Sequence, residues 1–184
     1  MKKEYFTLRN VLLCFAILVG VLMISVSAAI SLPFDTEFGE ATIRYIVWGT
    51  RTVSIGGVTT TVTEALGVDK LPANIFGLLG VIFSFVAALA LAASFFVKDA
   101  KNNKIIVLSA AVIMLVGGIF QLLIVRGFVA SLLKVWGSGN ETLAENVASS
   151  TRLSGGSIVC GIFTILAALG AGAVPFVPNK QLIK

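Results

Sequence analysis

Side chains that usually perform chemistry are scarce in this chain and lie far apart. Histidine, the commonest general base and metal ligand, is absent from the 184 residues. Cys14 and Cys160 lie inside long uncharged stretches, without the spacing of a metal site or a disulfide framework, so packing is the expected role of each. The pattern predicts no catalytic, cofactor-binding or metal-binding residue and indicates a protein that is not an enzyme.

The remaining polar candidates are three neighbouring acids and one glutamine. Asp35, Glu37 and Glu40 could together bind a cation, although a solvated charged loop is the more ordinary interpretation. Gln121 is the most polar residue of the third uncharged stretch, where an interhelical hydrogen bond is its expected role. The uncharged stretches also lack the embedded ionisable residue of a proton-coupled transporter and the Ser/His or paired Asp sets of intramembrane proteases.

Long uncharged stretches dominate the chain. It is 57% hydrophobic and 12% charged, with a mean hydropathy of +1.00, whereas a soluble domain is about one quarter charged. About 20 apolar residues rising about 1.5 Å each cross the hydrocarbon core, and continuous apolar runs exclude a transmembrane β-barrel. Four membrane-spanning helices are therefore predicted, at about residues 11–32, 73–97, 105–125 and 153–177.

The start of the chain allows two interpretations. Lys2 and Lys3 are followed by an apolar run and then by small residues, a pattern that resembles a secretory signal with a cleavage site. The small residues are Ser25, Ser27, Ala28 and Ala29. The run is about 20 residues, longer than the usual core of a signal peptide. We therefore expect an uncleaved first helix.

The placement of charge predicts the orientation. Eight of the 14 basic residues, but only two of the nine acids, precede the first predicted helix, lie in the connection at 98–104 or end the chain. The positive-inside rule makes these regions cytoplasmic. The chain is thus expected in the plasma membrane as a multi-pass protein with both termini cytoplasmic and with 33–72 and 126–152 outside. Anionic membrane lipids, not nucleic acid, are the expected partners of the basic residues.

The short connection between the second and third helices makes them antiparallel neighbours. The predicted fold class is an all-α membrane protein, a four-helix up-down-up-down bundle forming one membrane domain over residues 1–184. Helix 3 is expected to extend as far as residue 136, and residues 141–150 to form a short helix. Small residues at four-residue spacing indicate where helix backbones approach, within one bundle rather than between copies. The candidate helix-packing residues are Gly80, Ser84, Ala88, Ser157 and Gly161.

The segment at 33–72 is predicted to form a small extracellular antiparallel β-sheet between helices 1 and 2. Residues 42–48 alternate like a strand, and the strands at 53–55 and 58–63 flank Gly56-Gly57, which suits a tight hairpin. Three strands with few large apolar residues are barely stable alone, so this sheet must rest on helix ends or on a partner. The candidate interaction residues are Arg44, Tyr45, Trp48 and Arg51.

Four helices with internal ends, a β-rich segment after helix 1, a short basic turn and a prolonged helix 3 together resemble the claudin and peripheral myelin protein superfamily. The most local match is Trp48-Gly49, which looks like part of the Trp, then Gly-Leu-Trp, then paired-Cys signature of claudins. Here Thr50 and Arg51 follow, and no cysteine lies outside the predicted spans. The resemblance implies contacts of the external sheet with neighbouring copies, an apposed cell or another membrane protein, without the disulfide of the family.

The predicted function is that of a non-enzymatic membrane protein acting in assembly, cell adhesion or the scaffolding of a partner. Self-association or another membrane protein provides the partner, and no small-molecule substrate is inferred. The alternative from another class is a subunit of a transport or channel complex whose pore forms between subunits, lined by the Gly and Ser stripes. A lipid-modifying enzyme is least favoured, because it would need a cofactor or assistance from its substrate.

Overall fold

A computed structural model of the chain describes residues 7–26, 30–36, 39–45, 52–61, 63–64, 73–136, 141–153 and 155–178. Its helices are α1 (Leu8–Val26), α2 (Ile75–Ser94), α3 (Ala100–Leu122), α4 (Ile124–Trp136), α5 (Glu141–Ser150) and α6 (Gly155–Ala173), and a 3₁₀ turn at Val174–Phe176 follows α6. Its strands are β1 (Ile30–Thr36), β2 (Gly39–Tyr45), β3 (Thr52–Ile55) and β4 (Val58–Thr61).

Three helical segments among the described residues are long and apolar enough to cross a membrane, namely Ile75–Ser94, Ala100–Leu122 and Gly155–Phe176. A shorter apolar stretch, Leu8–Met23, lies within α1. The mainly helical architecture predicted from the sequence is therefore confirmed, and it is compatible with a membrane protein.

The contacts divide the chain into two compact units. The first unit comprises Met1–Ile24, Gly80–Ile119 and Gly161–Lys184, and the second comprises Ser25–Leu79 and Phe120–Cys160. The first unit therefore holds most of α1, α2, α3 and α6. The second unit holds the strands together with α4 and α5.

The core of the first unit combines many small side chains with a few large ones, such as Leu91 and Met114. Alanines from all four of its helices are almost fully buried, namely Ala16, Ala87, Ala110 and Ala167. The large apolar side chains of Leu18, Val112 and Leu169 are instead 57%, 60% and 58% exposed. The buried small residues are typical of helices that pack by close approach of their backbones and keep many of their large side chains on the outside.

Glycines mark the closest contacts between these helices. A Cβ atom on Gly20 of α1 would lie 2.6 Å from both the Cβ of Ala88 and the carbonyl oxygen of Ser84 in α2. A Cβ atom on Gly117 of α3 would lie 3.0 Å from the carbonyl oxygen of Gly80. The three packing residues predicted on α2 therefore lie at its contacts with α1 and α3.

The contacts of α6 complete the first unit. A Cβ atom on Gly118 of α3 would lie 3.2 Å from the carbonyl oxygen of Gly161, another predicted packing residue. Gly170 of α6 lies opposite Leu12 of α1, with 3.5 Å between the position of its Cβ and the leucine Cδ2. The four helices thus pack in chain order, with α6 returning to α1. Ser157, the remaining predicted packing residue, is fully buried in the second unit.

The helix predicted over 11–32 is wrong at its C-terminal end, because residues 30–36 form β1. A proline disfavours helical backbone in the residue before it and has no N–H to donate, and Pro33 follows directly on the predicted helix. In β1, Pro33 pairs with Thr42 of β2, while its carbonyl oxygen accepts a hydrogen bond from the N–H of Arg152 at 2.9 Å. The Pro33 nitrogen, which carries no hydrogen, therefore faces away from β2, so no hydrogen bond between β1 and β2 is lost.

The strands form one antiparallel sheet in the order β1-β2-β3-β4. The predicted antiparallel sheet is confirmed, but it has four described strands where the sequence predicts three, and β1 is the additional one. The predicted hairpin is also confirmed, since Gly56 and Gly57 have φ angles of 55° and 83°, as a type I′ turn requires. The predicted strand at 42–48 begins earlier, in β2, and its last three residues lie outside the described residues.

The predicted extension of helix 3 occurs as a separate helix. α3 ends at Leu122, and α4 begins after the single turn residue Leu123 and reaches Trp136. At its other end, α3 begins earlier than the predicted residue 105, because Asp99 caps it by accepting a hydrogen bond from the N–H of Lys101 at 3.2 Å. The short helix expected at 141–150 is α5.

Replacing Gly20 by alanine is expected to destabilise the protein by about 1–3 kcal/mol, because the new methyl group must displace the backbone of α2. Gly170→Ala is the matched control, because its Cβ would make an ordinary contact, at 3.5 Å, with a leucine methyl group. Its effect should be neutral or slightly stabilising, since alanine favours the helix. Thermal unfolding in detergent measures both variants, and equal loss of stability in the two would contradict the close approach at Gly20.

Candidate functional site

One face of the sheet in the second unit is apolar and partly buried. Ala41 pairs with Ile55, and Val53 lies two residues from Ile55, so the three side chains share this face. Ala41 and Val53 are 0% and 1% exposed, whereas Val58, which pairs with Ile55, is 70% exposed. The apolar face is therefore covered at β2 and β3 and open at β4.

The opposite face carries a row of hydroxyl groups. Thr42 pairs with Ser54, and Ser54 pairs with Thr59, so these side chains cross β2, β3 and β4 in one line. The hydroxyl oxygens of Ser54 and Thr59 lie 3.2 Å apart and form a hydrogen bond. Thr52 and Thr61 form a second, exposed pair on the same face. These five positions offer hydrogen-bonding groups without charge.

The β1 edge of the sheet is covered. α5 packs against β1, and the N–H of Arg152, just after this helix, donates to the carbonyl oxygen of Pro33. Thr151 fixes the chain there, because its hydroxyl donates to the carbonyl oxygen of Val147 at 2.5 Å. This part of β1 therefore has no room for a further strand.

The β4 edge is different, because no strand among the described residues pairs with its outer side. The two-residue turn closes on the pair of Ile55 and Val58. Backbone hydrogen bonds alternate along an antiparallel ladder, so the backbone groups of Thr59 and Thr61 face outward. Thr59, inside this four-residue strand, therefore presents its backbone N–H and C=O groups to any strand that pairs with the edge.

Glu64 occupies the far end of the β4 edge. Its carboxylate accepts hydrogen bonds from the hydroxyl of Thr60 at 2.5 Å and from the backbone N–H of Thr61 at 3.4 Å. These hydrogen bonds hold the pKa of the Glu64 carboxyl below its ordinary value. The Thr60 hydroxyl has the largest effect, and the Thr61 N–H has the next largest. A charged side chain at the end of an edge strand opposes strand pairing there, so Glu64 limits the open edge to the residues before it.

The predicted interaction residues divide into two pairs. Arg44 and Tyr45 are the last two residues of β2 and pair with the start of β1. Trp48 and Arg51 lie outside the described residues, so a surface shared by all four stays a prediction.

Two of the three acidic residues that could form a cation site lie where β1 ends and β2 begins. Asp35 pairs with Glu40 across the two strands, and Glu37 lies outside the described residues. Like charges on directly opposite residues are unfavourable in a sheet. Among the described residues, no group of three or more His, Cys, Asp and Glu could hold a metal ion.

Asn74 has a structural role that the sequence analysis does not predict. Its side-chain oxygen caps α2 by accepting from the N–H groups of Phe76 and Gly77, and its amide donates to the carbonyl oxygen of Ile124 at 2.5 Å. Gly127 makes room for it, because a Cβ atom there would overlap the asparagine oxygen. An asparagine before an apolar run is a recognised helix-start signal, but a partner 50 positions away has no local signal.

Gln121 does not have the role expected of it. It is fully buried in the second unit, and neither atom of its amide has a hydrogen-bond partner among the described residues. The predicted interhelical hydrogen bond is therefore not made to these residues. Most buried side-chain amides are hydrogen-bonded, so among the described residues Gln121 is an exception, next to the break between α3 and α4.

Removing the Thr60 hydroxyl is expected to raise the pKa of Glu64 toward its ordinary value. The pKa of Glu64 is lower in the folded protein than in the unfolded chain. The ionised carboxylate therefore stabilises the hairpin at pH values above the unfolded pKa, and this stabilisation is lost as the pH falls through the folded pKa. Titration of the Glu64 carboxyl carbon by NMR, in the parent protein and in Thr60→Val, measures the shift. Ser54→Ala, which removes a hydroxyl that is not bonded to Glu64, is the control, and an equal shift in both variants would contradict the assignment.

No protein-family model matches the chain, and no curated protein matches it significantly. Its function is therefore inferred from its own residues.

Proposed function

We propose that this chain is a non-enzymatic, multi-pass membrane protein that assembles through an extracellular sheet. In this proposal α1, α2, α3 and α6 cross the plasma membrane, both termini are cytoplasmic, and the sheet lies outside. The proposed order of elements is claudin-like: a first helix, a sheet, and then two antiparallel helices, the second of which is prolonged. The proposed partner is a second copy of the chain.

Exposed apolar side chains support the insertion of these helices. On α2, Leu89 is 54% exposed and Val86 is 46% exposed, and the other three helices of the first unit also expose large apolar residues. Each Å² of apolar surface left in contact with water costs about 25 cal/mol of free energy relative to burial. Contact with lipid removes that cost. α1 has 19 residues, and a helix of that length spans roughly 28 Å, close to the thickness of the hydrocarbon core.

Labelling from outside the cell tests the topology. In a background with Cys14→Ala and Cys160→Ala, an impermeant maleimide should modify Thr59→Cys on intact cells, because the sheet lies outside. It should modify Asn102→Cys only after the cells are permeabilised, because residues 98–104 lie in the cytoplasm. Modification of both positions on intact cells, or the reverse pattern, would contradict the orientation.

The difference between the two edges of the sheet carries the proposal of assembly. The β1 edge is covered by α5 and the residues after it, whereas β4 is unpaired among the described residues. β4 is Val-Thr-Thr-Thr, a run of uncharged β-branched residues, which suits strand pairing. The β4 strand is therefore the part of the sheet best suited to pair with another chain.

A second copy suits this edge because antiparallel pairing about a two-fold axis places the same groups of both chains opposite each other. With Thr59 at the axis, the backbone N–H and C=O of each Thr59 face the other copy. The two Glu64 carboxylates then lie at opposite ends of the paired segment, which keeps their like charges apart.

Thr59→Pro tests the assembly. Proline removes the N–H on the outer side of β4 and leaves the hydrogen bonds of the hairpin in place. Two hydrogen bonds are lost per symmetric dimer, each contributing about 1 kcal/mol, so the dimer dissociation constant should rise roughly thirtyfold. Analytical ultracentrifugation in mild detergent, over a range of protein concentrations, measures it.

Thr59→Val is the matched control, because it changes the side chain but keeps the backbone N–H. Its dimer should be as stable as that of the parent protein, and circular dichroism should show the same fold in all three proteins. A parent protein that is monomeric at every concentration, or a Thr59→Pro dimer as tight as the parent, would contradict the proposal.

A further inference from the structure

A cavity of about 400 Å³ lies in the first unit, between α1, the α2–α3 connection, the start of α3 and the 3₁₀ turn. Three basic side chains line it, those of Arg9, Lys98 and Lys104, together with the amide of Asn103. Its volume lies in the usual range of small-molecule sites, about 300–1,000 Å³. Basic residues from separate parts of the chain thus share one concave site.

Asn103 holds the wall of this cavity in place. Its side-chain oxygen accepts a hydrogen bond from Nη2 of Arg9 at 2.9 Å. Its amide nitrogen donates to the carbonyl oxygen of Ser94 at 2.5 Å, at the end of α2. The guanidinium is therefore positioned before any ligand arrives, and one hydrogen bond uses only one of its five N–H donors.

The charge of the first unit favours an anion. Its described residues include four basic residues, Arg9, Lys98, Lys101 and Lys104, but Asp99 is the one acid among them. Asp99 does not line the cavity, and its carboxylate accepts the hydrogen bond from Lys101 that caps α3. The three cations of the cavity therefore face no carboxylate from the described part of this unit.

Two aromatic residues adjoin the cavity lining in sequence, since Phe96 precedes Val97 and Phe176 follows Pro175. The ammonium nitrogen of Lys104 lies 4.8 Å from the centre of the Phe176 ring, a cation–π contact. Phe176 is 70% exposed, and Phe96, two residues before Lys98, is 85% exposed. A cationic cavity whose lining residues are followed or preceded by exposed aromatic residues suits a ligand with an anionic head and apolar chains.

We infer that this cavity binds a phosphate group, and that the headgroup of an anionic phospholipid supplies it. The guanidinium of Arg9 provides paired N–H donors for phosphate oxygens, and Lys98 and Lys104 provide compact positive charges. A soluble phosphate has the same head chemistry, but the acyl chains of a phospholipid also cover Phe96 and Phe176. The inference rests on the proposed insertion of the helices in a membrane, but it depends on neither the sheet nor the proposed dimer.

Native mass spectrometry of the full chain tests this site. The protein is released from micelles that contain equal amounts of phosphatidylglycerol and phosphatidylcholine, and it should retain phosphatidylglycerol preferentially. Arg9→Gln and Lys104→Gln should each weaken this binding about tenfold, because each removes a charge-assisted contact. Lys134→Gln is the control, because it removes the same charge from an exposed residue of α4 that does not line the cavity.

Inorganic phosphate distinguishes the two sources of the phosphate group. Preferential phosphatidylglycerol binding that persists in millimolar phosphate supports the lipid. Phosphate binding that depends on Arg9, without any preference for phosphatidylglycerol, overturns the lipid assignment in favour of a soluble ligand. Binding of neither, or an equal loss in Lys134→Gln, overturns the site. Lys104→Gln leaves the hydrogen bonds of Asn103 intact, so the test holds if Arg9→Gln does not fold.

Discussion

The helices of the first unit approach one another so closely that some contacts have no room for a methyl group. At Gly20 and Gly117 the neighbouring α2 backbone occupies the space of a side chain. Lipid is as apolar as leucine, so burial of large side chains would do little to hold such helices together in a membrane, and close van der Waals contact must do so. In the proposed membrane insertion, this constraint accounts for the many alanines inside the bundle and for the large apolar side chains on its outer surface.

Two asparagines form hydrogen bonds with backbone groups at the ends of helices. In the second unit, Asn74 caps α2 and also bonds the first carbonyl oxygen of α4. In the first unit, Asn103 bonds a carbonyl oxygen at the end of α2 and also the guanidinium of Arg9. A single amide can do both because it donates and accepts. The same group that closes a helix end thereby positions a side chain of the proposed phosphate site.

The sheet combines one covered edge with one edge, at β4, that no strand among the described residues pairs with. A sheet with two open edges can add strands from both sides and grow into fibres, whereas one open edge permits a single pairing event. On β4, the Glu64 carboxylate already bonds the N–H of Thr61, which shortens the open segment further. The proposed assembly is thus limited to a pair of chains by the contact of α5 with β1 and by one carboxylate beside β4.

Local composition is sufficient to predict α2, α3 and α6, because about 20 uncharged apolar residues form a helix in lipid whatever lies beside them. It is also sufficient for the hairpin at Gly56-Gly57, where the φ angles depend on the residues themselves. Tertiary contacts decide the rest. Residues 30–36 are a strand because 39–45 pair with them, and Arg9 meets Asn103 across 94 positions. Sequence patterns report local preferences, whereas a partner strand or a distant amide acts only after the chain has brought it close.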